Sequence, residues 1–155
     1  MATLQPFLHA GFLHELEQLM AGGMRPATWP AELADLLLGR GDAAHPTPAA
    51  ASLIQLLHAQ QAVLQAALRT GQVADELRRY QKFVKPGRPS PHIVQLRQQQ
   101  AAARQASSQS RQSLMKAATA FVREAGIERP ARQSLDVFML EWLDSRLPME
   151  ATAPN

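Results

Sequence analysis

The sequence predicts an all-α protein: a helical bundle of about five helices built around a long antiparallel helical hairpin. Three observations carry this. Apolar residues recur at helical spacing, and no stretch sustains the apolar–polar alternation of a strand. β-branched residues are sparse while Ala, Leu, Gln and Arg, which favour helices, abound. Gly- and Pro-containing breaks divide the chain into five periodic segments. With 155 residues the chain can bury one core of ordinary size and not two. Residues 1–147 therefore read as a single all-α domain, and residues 148–155 as a loose, disordered tail.

The first helix is expected over about Gln5 to Met20, with Leu8, Phe12, Leu16, Leu19 and Met20 on one face and Gly22-Gly23 stopping it. A short second helix follows Thr28-Trp29-Pro30, turns Leu33, Leu36 and Leu37 inward and ends near Gly39. Gly39 to Pro48 is loop by its Gly, Asp and Pro content. Thr47 and Pro48 read as N-cap and first position of a third helix. That helix carries Leu53, Leu57, Leu64 and Ala67, with Ile54, Leu56 and Val63 beside them. Gly71 is expected to break or kink it before Val73, Leu77 and Tyr80 continue the pattern. The proline-rich run Lys85 to Pro91 must turn the chain.

Ser90-Pro91 repeats the cap-then-proline signal and opens a helix that reaches Ala125 before Gly126 ends it, about 50 Å at 1.5 Å per residue. Its seam is Ile93, Leu96, Gln100, Ala103, Ser107, Ser110, Leu114, Ala117 and Phe121. Large apolar residues hold the two ends of this seam while small and polar ones hold the middle. Pairing with the third helix gives the hairpin. A last helix, about Gln133 to Leu147, is apolar almost all round and is expected to be buried by the other helices or by a second copy of the chain, which makes a homodimer through this helix one reading.

Composition excludes several classes of function. No apolar run approaches the roughly 20 residues that span a bilayer, and Arg97, Arg104 and Arg111 are backed largely by Ala and Ser rather than by the bulky apolar residues of a membrane-surface helix, so no membrane partner is expected. The first 20 residues lack a basic leader region and hold Glu15 and Glu17, so a cytoplasmic address is expected. With no cysteine, disulfides, thiolate nucleophiles and cysteine-rich zinc sites are absent together. Aromatic residues make up 5%, too few for platforms on which successive bases stack.

The informative feature is charge. Residues 1–76 carry a net −4, residues 77–132 a net +10 and residues 133–155 a net −3. Between Glu76 and Glu124 no carboxylate occurs, while Arg78, Arg79, Lys82, Lys85, Arg88, Arg97, Arg104, Arg111, Lys116 and Arg123 do. A solvated helix ordinarily intersperses both signs, because opposite charges at i,i+4 help it and like charges hurt it. This segment forgoes that help, which points to a polyanionic partner: nucleic acid, DNA or RNA, an acidic protein surface or anionic lipid. The alternative is that the basic middle neutralises the acidic ends of its own chain.

Three candidates follow from the bases. Arg97, Arg104 and Arg111 recur every seven residues, nearly two turns, so their guanidinium groups share a face at intervals of about 10.5 Å. Gln98, Gln105 and Gln112 follow at the same period and supply neutral donors suited to phosphate and sugar oxygens. A solvated helix face has the same composition. The turn from Arg78 to Ser90 contains Gly87-Arg88-Pro89, which resembles the core of the minor-groove AT-hook, although Pro86 stands where that motif has Arg. The segment Phe121 to Leu135, with Ala125-Gly126-Ile127 at its turn, resembles the helix-turn-helix of bacterial repressors, which implies Arg129, Arg132, Gln133 and Ser134 as groove-facing residues. Glu128 and Arg132 depart from that pattern, and a plain helical corner is the competing reading.

Motifs of catalysis and cofactor binding are missing, so no enzyme activity, no cofactor and no metal is expected. His14-Glu15-Leu16-Glu17-Gln18 departs from the zinc-protease pattern HExxH at its second ligand, and His9, His45, His58 and His92 are scattered. Nucleophile-elbow, dinucleotide and phosphate-loop motifs do not occur. The pairs Glu15/Glu17 and Asp75/Glu76 diverge on a helix and form no shared dyad. Arg40-Gly41-Asp42 reads as chance. The expected function is a non-catalytic accessory protein that holds nucleic acid by its phosphates. The alternative is an interaction module, an adaptor, chaperone or small subunit, whose basic face meets an acidic partner.

Overall fold

The computed structural model describes residues 7–23, 29–39, 46–82 and 90–148. Within them the chain forms α1 (Ala10–Met20), α2 (Ala31–Leu38), α3 (Pro48–Gln81), α4 (Pro91–Ala125) and α5 (Leu135–Arg146), and no strand. Helices α3 and α4 are 34 and 35 residues long and pack antiparallel as the expected hairpin, each about 50 Å in length. The shorter helices gather at one end of it, so the molecule is a basic arm standing on a small bundle.

The core is correspondingly divided. At the bundle end Phe12, Leu16, Leu37, Leu53, Leu56, Leu57, Phe121, Met139 and Leu143 form one cluster with their buried neighbours. At the other end Val73 and Leu77 of α3 meet Ile93 and Leu96 of α4 in a separate cluster. The seam of α4 joins the two: all nine of its expected positions are buried or half-buried, the small and polar middle among them. Between Leu57 and Val73 no residue of α3 is fully buried, and between Leu96 and Ala117 of α4 only Ala103 is. A two-helix arm has one contact face, so the middle lacks a third layer to cover it.

Local chemistry accounts for the boundaries. Ser90 caps α4 by accepting a hydrogen bond from the Ile93 N–H at 3.2 Å, and Pro91 follows at the first helical position. Gly126 closes α4 at φ +68°, the left-handed conformation that glycine adopts without a Cβ penalty. Thr47 stands before α3 as expected but bonds backwards. Its hydroxyl is shared between the carbonyls of Leu36 (2.9 Å) and Leu37 (3.1 Å), and its N–H donates to Leu37 at 2.8 Å. The residue expected to start α3 thus also satisfies the end of α2.

Several expectations are corrected. Gly71 does not interrupt α3. A lone glycine among helix formers costs about 1 kcal/mol, too little to break a helix packed along its length on α4. The first helix begins at Ala10 rather than near Gln5, so Leu8 precedes it, and Met20 is exposed while Leu13 is buried. Ala67 and Tyr80 are exposed rather than inward-facing. The last helix begins at Leu135 and is buried on one side only, by Met139 and Leu143, leaving Val137 and Leu140 exposed. Too few helices surround it to cover an all-round apolar surface.

The bundle is tied by polar contacts as well. Buried His9 reaches from the start of α1 to the Pro148 carbonyl (Nδ1, 3.2 Å) and to Asp144 (Nε2, 3.3 Å) beyond and within α5. Trp29 packs against Phe12 and donates its indole N–H to Glu15 at 2.8 Å. Arg146 in the last turn of α5 pairs with Glu32 in the first turn of α2 at 3.0 Å.

Candidate nucleic-acid interface

The stripe is built by the periodicity of α4. Where the seam residue Ser107 and its neighbour Ser108 present small side chains, a groove of about 670 Å³ lies along α4 beside Thr70 of α3. Arg104, Arg111 and Lys116 line it, with Ser107, Ser108 and Gln112 between them. Met115 lies in its wall, and Thr70 is the contribution of α3. Arg97 continues the stripe one heptad nearer the hairpin tip.

All ten described candidate bases, Arg78, Arg79, Lys82, Arg97, Arg104, Arg111, Lys116, Arg123, Arg129 and Arg132, are exposed. Only two have a described carboxylate as ion-pair partner: Arg78 with Asp75 three residues before it, and Arg123 with Glu124 at 3.9 Å. Internal neutralisation therefore does not account for the basic segment among the described residues. Ser107, Ser108 and Gln112 likewise make no side-chain hydrogen bond there, whereas the Thr70 and Ser110 hydroxyls donate to the Ala66 and Ala106 carbonyls of their own helices. The groove thus offers three cations and unused neutral hydrogen-bonding groups, a set suited to oxyanions.

The bases fall into three places. Arg78, Arg79 and Lys82 sit at the tip end of α3; Arg97, Arg104, Arg111 and Lys116 run along α4; Arg129 and Arg132 lie in the connection to α5, at the far end of the arm. Lys85, Arg88 and the Gly87-Arg88-Pro89 resemblance to an AT-hook lie outside the described residues, as do Arg40-Gly41-Asp42 and residues 149–155.

The helix-turn-helix reading is corrected. The helix before Gly126 is 35 residues long rather than short, and eight residues, 127–134, separate Gly126 from α5. Arg129, Arg132, Gln133 and Ser134 therefore precede the helix on which the motif would present them. Pro130 lacks an N–H and disfavours helical backbone at Arg129, which delays the new helix until Ser134. Arg129 donates to the Gln133 carbonyl at 2.8 Å, and the Gln133 amide donates to Glu141 at 2.6 Å, so both serve the corner itself.

The zinc-protease-like position is also filled from within: the Gln18 amide donates to His14 Nε2 at 3.1 Å. A second cavity, about 450 Å³, lies between α2 and α5 over Leu33, Leu36, Ile127 and Trp142, with the Glu32–Arg146 pair at its edge. Neither Thr70 nor Ser107 and Ser108 stood out as groove residues in the sequence; the signal was the absence of large side chains in the middle of the seam.

Comparison with protein-family models, with curated proteins and with solved structures returns no match to this chain.

Proposed function

We propose that this protein is a non-catalytic nucleic-acid-binding accessory protein of the cytoplasm that grips phosphates along the basic arm. The observation that carries the reading is the Arg97, Arg104, Arg111 stripe: exposed and without described carboxylate partners, with Arg104 and Arg111 lining a groove beside Lys116, Ser107, Ser108 and Gln112. Guanidinium groups about 10.5 Å apart along a straight helix meet a backbone at intervals rather than at one point, which favours an extended polyanion over a small anion.

Affinity for duplex DNA and RNA, read by fluorescence anisotropy across a salt series, tests this. Each phosphate neutralised contributes a slope of about −0.9 to log affinity against log salt. Replacing Arg97, Arg104 and Arg111 together by Gln is expected to reduce the magnitude of that slope by about 2.7. Affinity that stays constant between low and moderate salt would overturn the reading. The rival, an interaction module with an acidic partner, is favoured by exposed Val137 (44%) and Leu140 (41%) on α5, which suit a protein contact or a second copy of the chain. Its signature is a stoichiometric protein partner with no copurified nucleic acid.

A further inference from the structure

The tip of the arm carries a feature that the groove does not use. Tyr80, the single tyrosine of the chain, lies in the last turn of α3 with 43% of its surface exposed. Its ring meets that of exposed His92, in the first turn of α4, at a centroid separation of 4.4 Å and an interplanar angle of 78°. In such an edge-to-face pair one ring presents its edge and keeps both faces uncovered by its partner, while the other keeps one. The pair is not needed to seal the arm. Beneath it Val73, Leu77, Ile93 and Leu96 already form a closed cluster, each 5% exposed or less. Arg79 on the same last turn of α3 and Lys82 at its C-cap are exposed and without a described carboxylate partner, and the first turn of α4 holds no acid.

We infer that the hairpin tip takes one unpaired nucleobase, stacked on the Tyr80–His92 pair, with Arg79 and Lys82 on the adjoining phosphates. A lone anion would use the cations and leave the rings idle. A base with its phosphates uses both. Two rings make a seat for one base rather than a platform for many, consistent with the low aromatic content. The preferred ligand is then a single strand, or a duplex with a loop, bulge or frayed end, in which a base is free to leave its stack. The inference rests on the nucleic-acid reading above and narrows it.

Anisotropy with a labelled oligothymidylate of about 12 nucleotides and with a blunt duplex tests it. Tyr80→Ala is expected to weaken binding of the single strand about ten-fold and to leave duplex binding unchanged. Tyr80→Phe, which keeps the ring, is expected to bind the strand as the parent does, and Tyr80→Leu, which keeps bulk without a π-face, to behave like Tyr80→Ala. Equal loss on strand and duplex, or no loss on either, overturns the inference. Binding of duplex but not of strand by the parent protein overturns it while leaving the groove reading intact, and binding of neither overturns both.

Discussion

Leu96→Ala is expected to open the tip of the arm without unfolding the bundle. Leu96 is 2% exposed and belongs to the four-residue cluster with Val73, Leu77 and Ile93. Truncating a buried leucine costs about 2–5 kcal/mol, and the lower half of that range applies where few neighbours hold the cavity open. The nearest fully buried residue of the bundle on α3 is Leu57, sixteen residues from Val73 and so about 24 Å away along the helix. Across that interval α3 is only half-buried or exposed, so the two clusters are joined by the thin middle of the α3–α4 contact and not by a continuous core.

Native-state hydrogen exchange resolves the consequence. A loss of about 2–3 kcal/mol lowers local protection roughly 30- to 160-fold. That fall is expected for amides from Val73 to Tyr80 and from Ile93 to Gln100, with those of Leu53 to Leu57 and Ala117 to Phe121 unchanged. Leu57→Ala, in the main core, is expected to lower protection throughout the bundle, because its cluster holds all five helices together there. A uniform fall in the Leu96→Ala protein would refute the division of the core and show that arm and bundle open as one unit.

Three further outcomes follow from local chemistry. Thr47→Val keeps the shape but removes the hydroxyl shared by the Leu36 and Leu37 carbonyls, and chemical denaturation is expected to show a loss of about 1 kcal/mol that Thr47→Ser restores. Gly126→Ala meets no atom within 4 Å, so its expected cost of about 1–2 kcal/mol comes from the φ of +68° alone and is read in the same assay. The Ser134 hydroxyl, and after it the Val137 N–H, hold the Asp136 carboxyl below its ordinary value of 3.8. Its folded pKa being depressed, its stabilising contribution is full above that ordinary value and is lost as pH falls through the lower folded one. A carboxyl-carbon NMR titration of Asp136 is expected to give a midpoint below 3.8, moving up in Ser134→Ala.

Much of the fold was legible because the seam of α4 states its own packing. Ile93 and Leu96 at one end, and Ala117 and Phe121 at the other, announce two buried regions joined by a thin contact, and the molecule has that division. What escaped was set by how many elements surround a residue, which periodicity does not report. Tyr80 lies on the apolar period of α3 but at the open end of a two-helix arm, so it emerges into solvent. Val137 and Leu140 belong to a helix apolar all round but touched on one side. Gly71 has a local preference that packing overrides, and Thr47 has a hydroxyl whose best acceptors lie behind it. The Arg stripe was readable from its seven-residue period. Its groove was signalled only indirectly, by the small middle of the seam that includes Ser107, and neither Thr70 nor Ser108 carries a sign of its own.

The division of the fold is also a division of charge, and this bears on how a polyanion approaches. Among the described residues α3, α4 and their caps hold nine bases and three acids, whereas the rest hold eight acids and three bases. The dipoles of two antiparallel helices of nearly equal length largely cancel, so side chains set the field. On the reading proposed above, a negatively charged strand would be drawn to the arm and repelled by the bundle. The exposed apolar side of α5, together with the acids Asp136, Glu141 and Asp144 on that helix, lies at the end such a strand would avoid. On that reading, a protein contact made there and a nucleic acid held along the arm would not compete. The mutations separate them: loss of Arg97, Arg104 and Arg111 acts on the arm alone, and Val137→Lys with Leu140→Lys on the bundle alone, so any assembly that both changes abolish must need the two surfaces together.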